Sequence, residues 1–152
     1  MEVNIREGTT KFWFDFEKCY WSSKLANERV RMLKILTKED ILADMFAGVG
    51  PLAVQAAKKG ITTYANDLNP DCYSYMMINT KSNKIEPYIT WTNQDAREFI
   101  RDLVETDIMF THAYLNLPAD AIEFLDVFYA LFSREKWETL PILHVYAFST
   151  VE

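Results

Sequence analysis

Two glycines and a handful of acids carry the spacings from which chemistry could be built. In Asp44-Met-Phe-Ala-Gly-Val-Gly-Pro51 an apolar stretch runs into Gly48 and Gly50 and then a proline. Glycines let the backbone approach a ligand, and a helix beginning there offers its unpaired N–H groups. Asp67, within Asn66-Asp-Leu-Asn-Pro70, lies 17 residues beyond Gly50. At about that interval open α/β folds place an acid that accepts hydrogen bonds from both hydroxyls of a ribose. Alone, the glycine pair describes a tight strand-to-helix turn; together with Asp67 it describes a nucleoside-cofactor site.

Other polar residues carry two readings each. Asn69 ahead of Pro70 is a helix N-cap with proline in the first helical position, and that structural role is favoured over ligand contact. Asp95, ahead of Ala96-Arg-Glu-Phe, is either an N-cap or an acceptor for an adenine amino group, and capping competes for the same oxygens. Asn116, in Asn116-Leu-Pro-Ala119, offers a donor and an acceptor with which to read a base edge. Spacing alone favours an Asx turn before a proline-led helix whose stripe of Ala121, Phe124, Leu125 and Phe128 is core. Glu28 projects onto one helix face with Leu25, Met32 and Ile35, which predicts a partly desolvated carboxyl with a raised pKa, as a general base requires. The competing reading, favoured on the helix alone, is a first-turn glutamate or one paired with Arg31. Arg6 and Lys24 read as solvated cations, and Tyr20-Trp21 as core aromatics more readily than as a stacking platform.

The elements that must position these groups follow from hydrophobic periodicity. Val3–Glu7 and Lys11–Phe16 read as a hairpin about Gly8-Thr-Thr, with Phe12, Phe14 and Phe16 on one face. A helix over Leu25–Leu36 follows. Strands at Ile41–Met45, Ile61–Ala65, Tyr88–Thr92, Ile108–Leu115 and Ile142–Phe148 then alternate with helices at Pro51–Lys58, Pro70–Asn83, Ala96–Val104 and Pro118–Phe132. Such alternation predicts an α/β fold of Rossmann-like class, a mostly parallel twisted sheet with helices on both faces, preceded by the short β-hairpin. Residues 1–36 are expected to lend a hairpin and helix to the active site, and residues 37–152 to form the cofactor-binding core. Because the chain stops almost at its fifth strand, a catalytic-core fragment is expected.

Bulk properties narrow the function classes. An apolar fraction of 49% in 152 residues supplies one buried core and excludes a disordered or fibrous chain. A net charge of −6 argues against a stand-alone nucleic-acid binder, which needs cations opposite phosphates. The amino terminus lacks the layout of a signal peptide, and no long apolar run suggests a membrane span. Cys19 and Cys72 lie in no metal-binding or CxxC spacing, so reduced thiols and no metal site are expected. The expected state is monomeric and cytoplasmic, with nucleus or mitochondrion open for a eukaryotic source.

Four stretches together resemble the tRNA (guanine-37, N1)-methyltransferase family of archaea and eukaryotes over nearly the whole chain. They are Arg6-Glu-Gly with Phe14-Asp-Phe and Cys19-Tyr-Trp-Ser-Ser-Lys-Leu-Ala-Asn-Glu-Arg29; the Asp44–Pro51 loop; Asn66–Pro70; and Asn116-Leu-Pro-Ala-Asp-Ala121 with Glu123-Phe-Leu-Asp126. Leu143-His-Val-Tyr-Ala-Phe148 fits as well. The resemblance implies a class I enzyme that moves the methyl group of S-adenosylmethionine to N1 of guanosine 37 beside the tRNA anticodon. It implies that Glu28 takes the N1 proton, Arg6 steadies charge on O6 and Asn116 orients the base. The cofactor would lie against Asp44, Phe46, Gly48, Gly50, Asp67, Leu68, Asn69, Asp95, Ala96, Asn116 and Pro118. Those residue types suit the chemistry: a protonated N1 has no in-plane lone pair to attack with, and a cation at the oxygen stabilises the resulting anion.

One departure is Lys24, where the family often has arginine; lysine cannot make the same planar bidentate contact. Three rival readings remain. A wybutosine-pathway enzyme moves the aminocarboxypropyl arm of the same cofactor; a cofactor-binding module turns nothing over; a nicotinamide oxidoreductase uses the same sheet. The last lacks the third glycine of the dinucleotide fingerprint.

Overall fold

A computed structural model describes residues 1–149 of the chain. It opens with a hairpin of β1 (Glu2–Glu7) and β2 (Thr10–Asp15), antiparallel with Ile5 opposite Phe12. Alternation along β2 drives Phe12 and Phe14 fully into the core. Phe16 lies past the end of the strand and stays 45% exposed, departing from the one-face expectation, with its ring edge on Phe14 at 4.8 Å.

A 3₁₀ turn at Ser23–Leu25 leads into α1 (Ala26–Ile35). The core strands are β3 (Ile41–Asp44), β4 (Thr62–Asn66), β5 (Ile89–Thr92), β6 (His112–Leu115) and β7 (Ile142–Val145). Between them run α2 (Ala53–Lys58), α3 (Pro70–Asn83) and α4 (Ala96–Glu105). All five strands pair in parallel in the order β5-β4-β3-β6-β7. The order reverses between β3 and β6, and open α/β sheets bind ligands in the crevice beyond the strand ends at that point.

Both sheet faces are covered, as the alternation predicts. Ala43 and Met45 pack with Phe99, Ile100 and Leu103 of α4, whereas Leu42, between them in sequence, packs with Met32 and Leu33 of α1 and with Ala56. A third cluster joins Phe12 and Phe14 to Val54 and Met76, so the hairpin belongs to the sheet's own core. Asn79 on α3 secures it with strand-like hydrogen bonds: the Trp13 N–H donates to Asn79 Oδ1 at 2.7 Å, and Nδ2 donates to the carbonyls of Trp13 and Val49 at 3.2 and 3.0 Å.

Four expected elements are corrected. The helix over Pro118–Phe132 is a 3₁₀ segment at Ala121–Phe128. Ala119 and Ala130, at φ 70° and 53°, bracket it in left-handed backbone that an α-helix cannot pass through. The fourth strand begins at His112 rather than Ile108, and the fifth ends at Val145, although the Tyr146 N–H still donates to the Leu115 carbonyl at 3.1 Å. Glu86–Tyr88 form a 3₁₀ turn, so Tyr88 precedes its strand.

Candidate active site

At the switch point lies a cavity of about 480 Å³, within the range of small-molecule sites. Phe46, Ala47 and Gly48 form its floor beyond β3; Asp67, Leu68 and Asn69 close one side beyond β4, and Asp95 and Ala96 another beyond β5. Asn116, Leu117 and Pro118 stand opposite beyond β6, with Phe124 behind them edge-on to Phe46 at 4.9 Å.

Asp67 is built into the glycine loop. Its Oδ2 accepts from the Gly48 N–H at 2.8 Å and its Oδ1 from the Asn69 N–H at 2.9 Å. Each carboxylate oxygen keeps a second acceptor site, which suits a pair of ligand hydroxyls. Burial raises the Asp67 pKa above the usual carboxylate value, and the two N–H donors pull it back. Gly48 sits at φ 59° with open space where a side chain would project. Gly50 does something else: a Cβ there would stand 2.6 Å from Val54 Cγ2, so its bareness lets α2 pack close. Gly50 does not line the cavity, against expectation.

Asp44 also departs from its assignment. On β3 it falls on the opposite face from Met45, level with Tyr114 on β6, and is 1% exposed behind the cavity wall. Its Oδ1 and the Tyr114 hydroxyl have no hydrogen-bond partner among the described residues. Burial, reinforced by the charge of Asp67, pushes the Asp44 carboxyl up to about 8, so it is mostly protonated at neutral pH.

The two helix caps form as their sequences imply. Asn69 Oδ1 accepts from the Asp71 N–H at 2.9 Å, and Asp95 Oδ1 accepts from the Arg97 N–H at 2.8 Å. Both residues still border the cavity, so capping and ligand contact share one side chain at each place.

The largest omission from the sequence reading is Arg29. It lines the cavity at 3% exposure, with Nε and Nη2 on the two oxygens of Glu7 at 2.8 and 2.6 Å and Nη2 on the Ser22 carbonyl at 3.1 Å. Gln55 Nε2 donates to the same Glu7 at 2.5 Å, tying β1, α1 and α2 together. Arg29 also lies 5.2 Å from the ring of Trp21, which in turn stacks on Phe14 at 5.2 Å. The missed signal was positional: Arg29 shares the α1 face of Met32, Leu33 and Leu36, where a cation must find a buried partner. Tyr20 and Trp21 border the cavity too; Tyr20 is 67% exposed, whereas Trp21 is partly buried.

Arg6, Glu28 and Asn116 are not gathered in one cavity; Asn116 alone of the three lines it. Arg6 is exposed on β1 with Nε donating to the Gly8 carbonyl at 3.2 Å. The Glu28 carboxylate accepts from Arg31 Nε and Nη2 at 2.6–3.1 Å and from the Tyr146 hydroxyl. The Arg31 guanidinium, chiefly, and the Tyr146 hydroxyl hold it down at about 2, overturning the raised pKa expected from the helix projection. Ile35 on that supposed apolar face is 41% exposed, so desolvation is too weak to prevail.

Fold and site together define an α/β nucleoside-cofactor protein with an acid at the second core-strand end and an amide at the fourth. The chain matches the family model of the TRM5/TYW2 methyltransferase domain over residues 3–150 and belongs to that family. It is 49% identical over 131 residues to the tRNA (guanine(37)-N(1))-methyltransferase of Dictyostelium discoideum, covering 86% of this chain and 28% of that protein. The enzyme of the same description from Phytophthora infestans is 40% identical over 153 residues, covering 100% of this chain and 37% of that one. Trm5b of Pyrococcus abyssi superposes with a TM-score of 0.79 at 31% identity, over 96% of this chain and 40% of its own. The chain spans about a third of the length of the curated relatives it matches.

Proposed function

We propose that this chain binds S-adenosylmethionine and places its methyl group on N1 of guanosine 37 in the anticodon loop of a tRNA. The observation that carries this is the cavity at the switch point, with Asp67 on one wall and Asn116 on the other. Relatives 31% and 32% identical to the chain were solved with adenosine and with tRNALeu respectively, which supports the same two ligands here.

The residues present fit the cofactor. Asp67 would accept from the two ribose hydroxyls and the free oxygen of Asp95 from the adenine amino group, with Phe46, Leu68, Ala96 and Pro118 lining the space for the ring. When bound, S-adenosylmethionine supplies an electrophilic methyl group on a sulfonium. Asn116 orients the guanine edge, and the carboxylate of Glu28 receives the N1 proton. Arg6 steadies charge on O6 from the hairpin, so the base must be turned out of its stack and lie between the cavity mouth and β1. Glu28 stands at that rim: its neighbour Arg29 lines the cavity, and its partner Tyr146 is bonded through its backbone to Leu115, next to Asn116.

The test is incubation of the intact protein with S-adenosylmethionine and an unmodified tRNA transcript, followed by mass analysis of the nucleosides. N1-methylguanosine at position 37 is the expected product; an aminocarboxypropyl adduct, or none, overturns the proposal. Glu28→Gln should cut the single-turnover rate by about 100-fold or more while cofactor affinity stays unchanged.

A further inference from the structure

In the free protein the proposed base is capped. Both Glu28 oxygens accept from Arg31, and Oε1 also accepts from the Tyr146 hydroxyl. With a guanidinium across both oxygens and a hydroxyl on Oε1, the carboxylate has to shed one of its two partners before it can take a proton from a substrate.

The partners differ in what anchors them. Tyr146 is fixed by the sheet: its N–H donates to Leu115 at 3.1 Å and its ring packs on Tyr114 at 5.0 Å. Arg31 projects from α1 with its side chain 55% exposed, and besides Glu28 its polar surroundings are the Tyr146 hydroxyl and the Met32 sulfur at 3.8 Å. The other charged or titratable group acting on Glu28 is His144 on β7, whose pKa burial and the neighbouring His112 hold below 6.5.

The charge around Arg31 has a direction. Residues 18–38 hold six cations, Lys18, Lys24, Arg29, Arg31, Lys34 and Lys38, and Glu28 as their single acid. That net of +5 stands against −11 for the remainder of a chain whose total is −6. Five of the six cations are exposed, Arg29 being the exception. Arg29 and Lys18 are matched by Glu7 and Asp71, which leaves Lys24, Lys34 and Lys38 without an acid partner among the described residues to attract a polyanion, and a phosphate offers a guanidinium the same bidentate contact as a carboxylate.

We propose that Arg31 is a positioning residue that exchanges Glu28 for an RNA backbone phosphate, uncapping the carboxylate as the substrate seats. The exchange rests on the assignment of Glu28 as proton acceptor and of RNA as substrate. It costs little, because an exposed pair of this kind contributes at most about fivefold to an equilibrium. Tyr146 stays in place and keeps the carboxylate aimed.

Binding of an unmodified tRNA transcript to the intact protein across a range of salt concentrations tests this without reference to turnover. Arg31→Gln should reduce the slope of log affinity against log salt by about 1, and Arg31→Lys should leave it near the parent value. Glu28→Gln should tighten binding by about twofold to fivefold by releasing Arg31, and the gain should vanish when Arg31→Gln is added. An unchanged slope in Arg31→Gln, or a Glu28→Gln gain that persists in the double variant, overturns the exchange. Full turnover by Glu28→Gln would instead remove the base and leave the binding result standing.

Discussion

Glu7 and Arg29 form the most deeply buried ion pair among the described residues, and their unequal exposure makes an asymmetric prediction. The Arg29 side chain is 3% exposed and the Glu7 side chain 15%. In Glu7→Met the guanidinium keeps only the Ser22 carbonyl at 3.1 Å and stays dry, an uncompensated charge worth about 3–5 kcal/mol of lost stability. In Arg29→Met the carboxylate keeps Gln55 and swings toward water, so the loss should be smaller, about 2–3 kcal/mol. The double variant removes both charges and should lie close to the parent, at least about 2 kcal/mol better than the sum of the singles. Urea unfolding followed by circular dichroism measures all four, provided the slope m is common to them. Losses that simply add, or a costlier Arg29→Met, would refute the reasoning that desolvation of the cation dominates this pair.

Asp67→Ala should weaken S-adenosylmethionine binding by about 2 kcal/mol through the loss of hydrogen bonds to two hydroxyls; unchanged affinity in a calorimetric titration would remove Asp67 as the ribose ligand. Gly50→Ala, with its Cβ 2.6 Å from Val54 Cγ2 at φ 91°, should destabilise the fold by about 2–4 kcal/mol. Gly48→Ala, at φ 59° with open space beside it, should cost about 1–2 kcal/mol and weaken the cofactor instead; equal unfolding midpoints would contradict both assignments. His144 titrates below its unfolded value of 6.5 because burial, then His112, disfavours its charged form. Its contribution is therefore present above pH 6.5 and lost as pH falls toward the lower folded value; His144→Gln should flatten the decline in unfolding free energy there.

Glycine-loop, cap and strand identities were legible because each rests on neighbours a few residues away. Asn69 and Asp95 cap the helices that their own sequences announce. Gly50 shows where local reading stops: its motif suggests ligand contact, yet Val54 and Met76 are what require its bareness. Of the two readings of Glu28, the pairing with Arg31 that the helix itself favoured forms, and the raised pKa of the other fails because Arg31 and Tyr146 decide the ionisation. Tyr146 lies 118 residues away, beyond the reach of any helix projection.

By itself the sequence determined the alternation of strands and helices, the glycine turn and the acid that closes on it, since backbone preferences and periodicity act over a single element. Tertiary structure alone decided which polar groups meet. Arg29 finds Glu7 across 22 residues, Asn79 stands in as a strand partner for Trp13 across 66, and Asp44 is turned away from the cavity that its own loop creates. Burial creates a demand for hydrogen-bond partners that the sequence makes visible, but which partner answers depends on sheet order and helix docking, and those are settled only when the whole chain has packed.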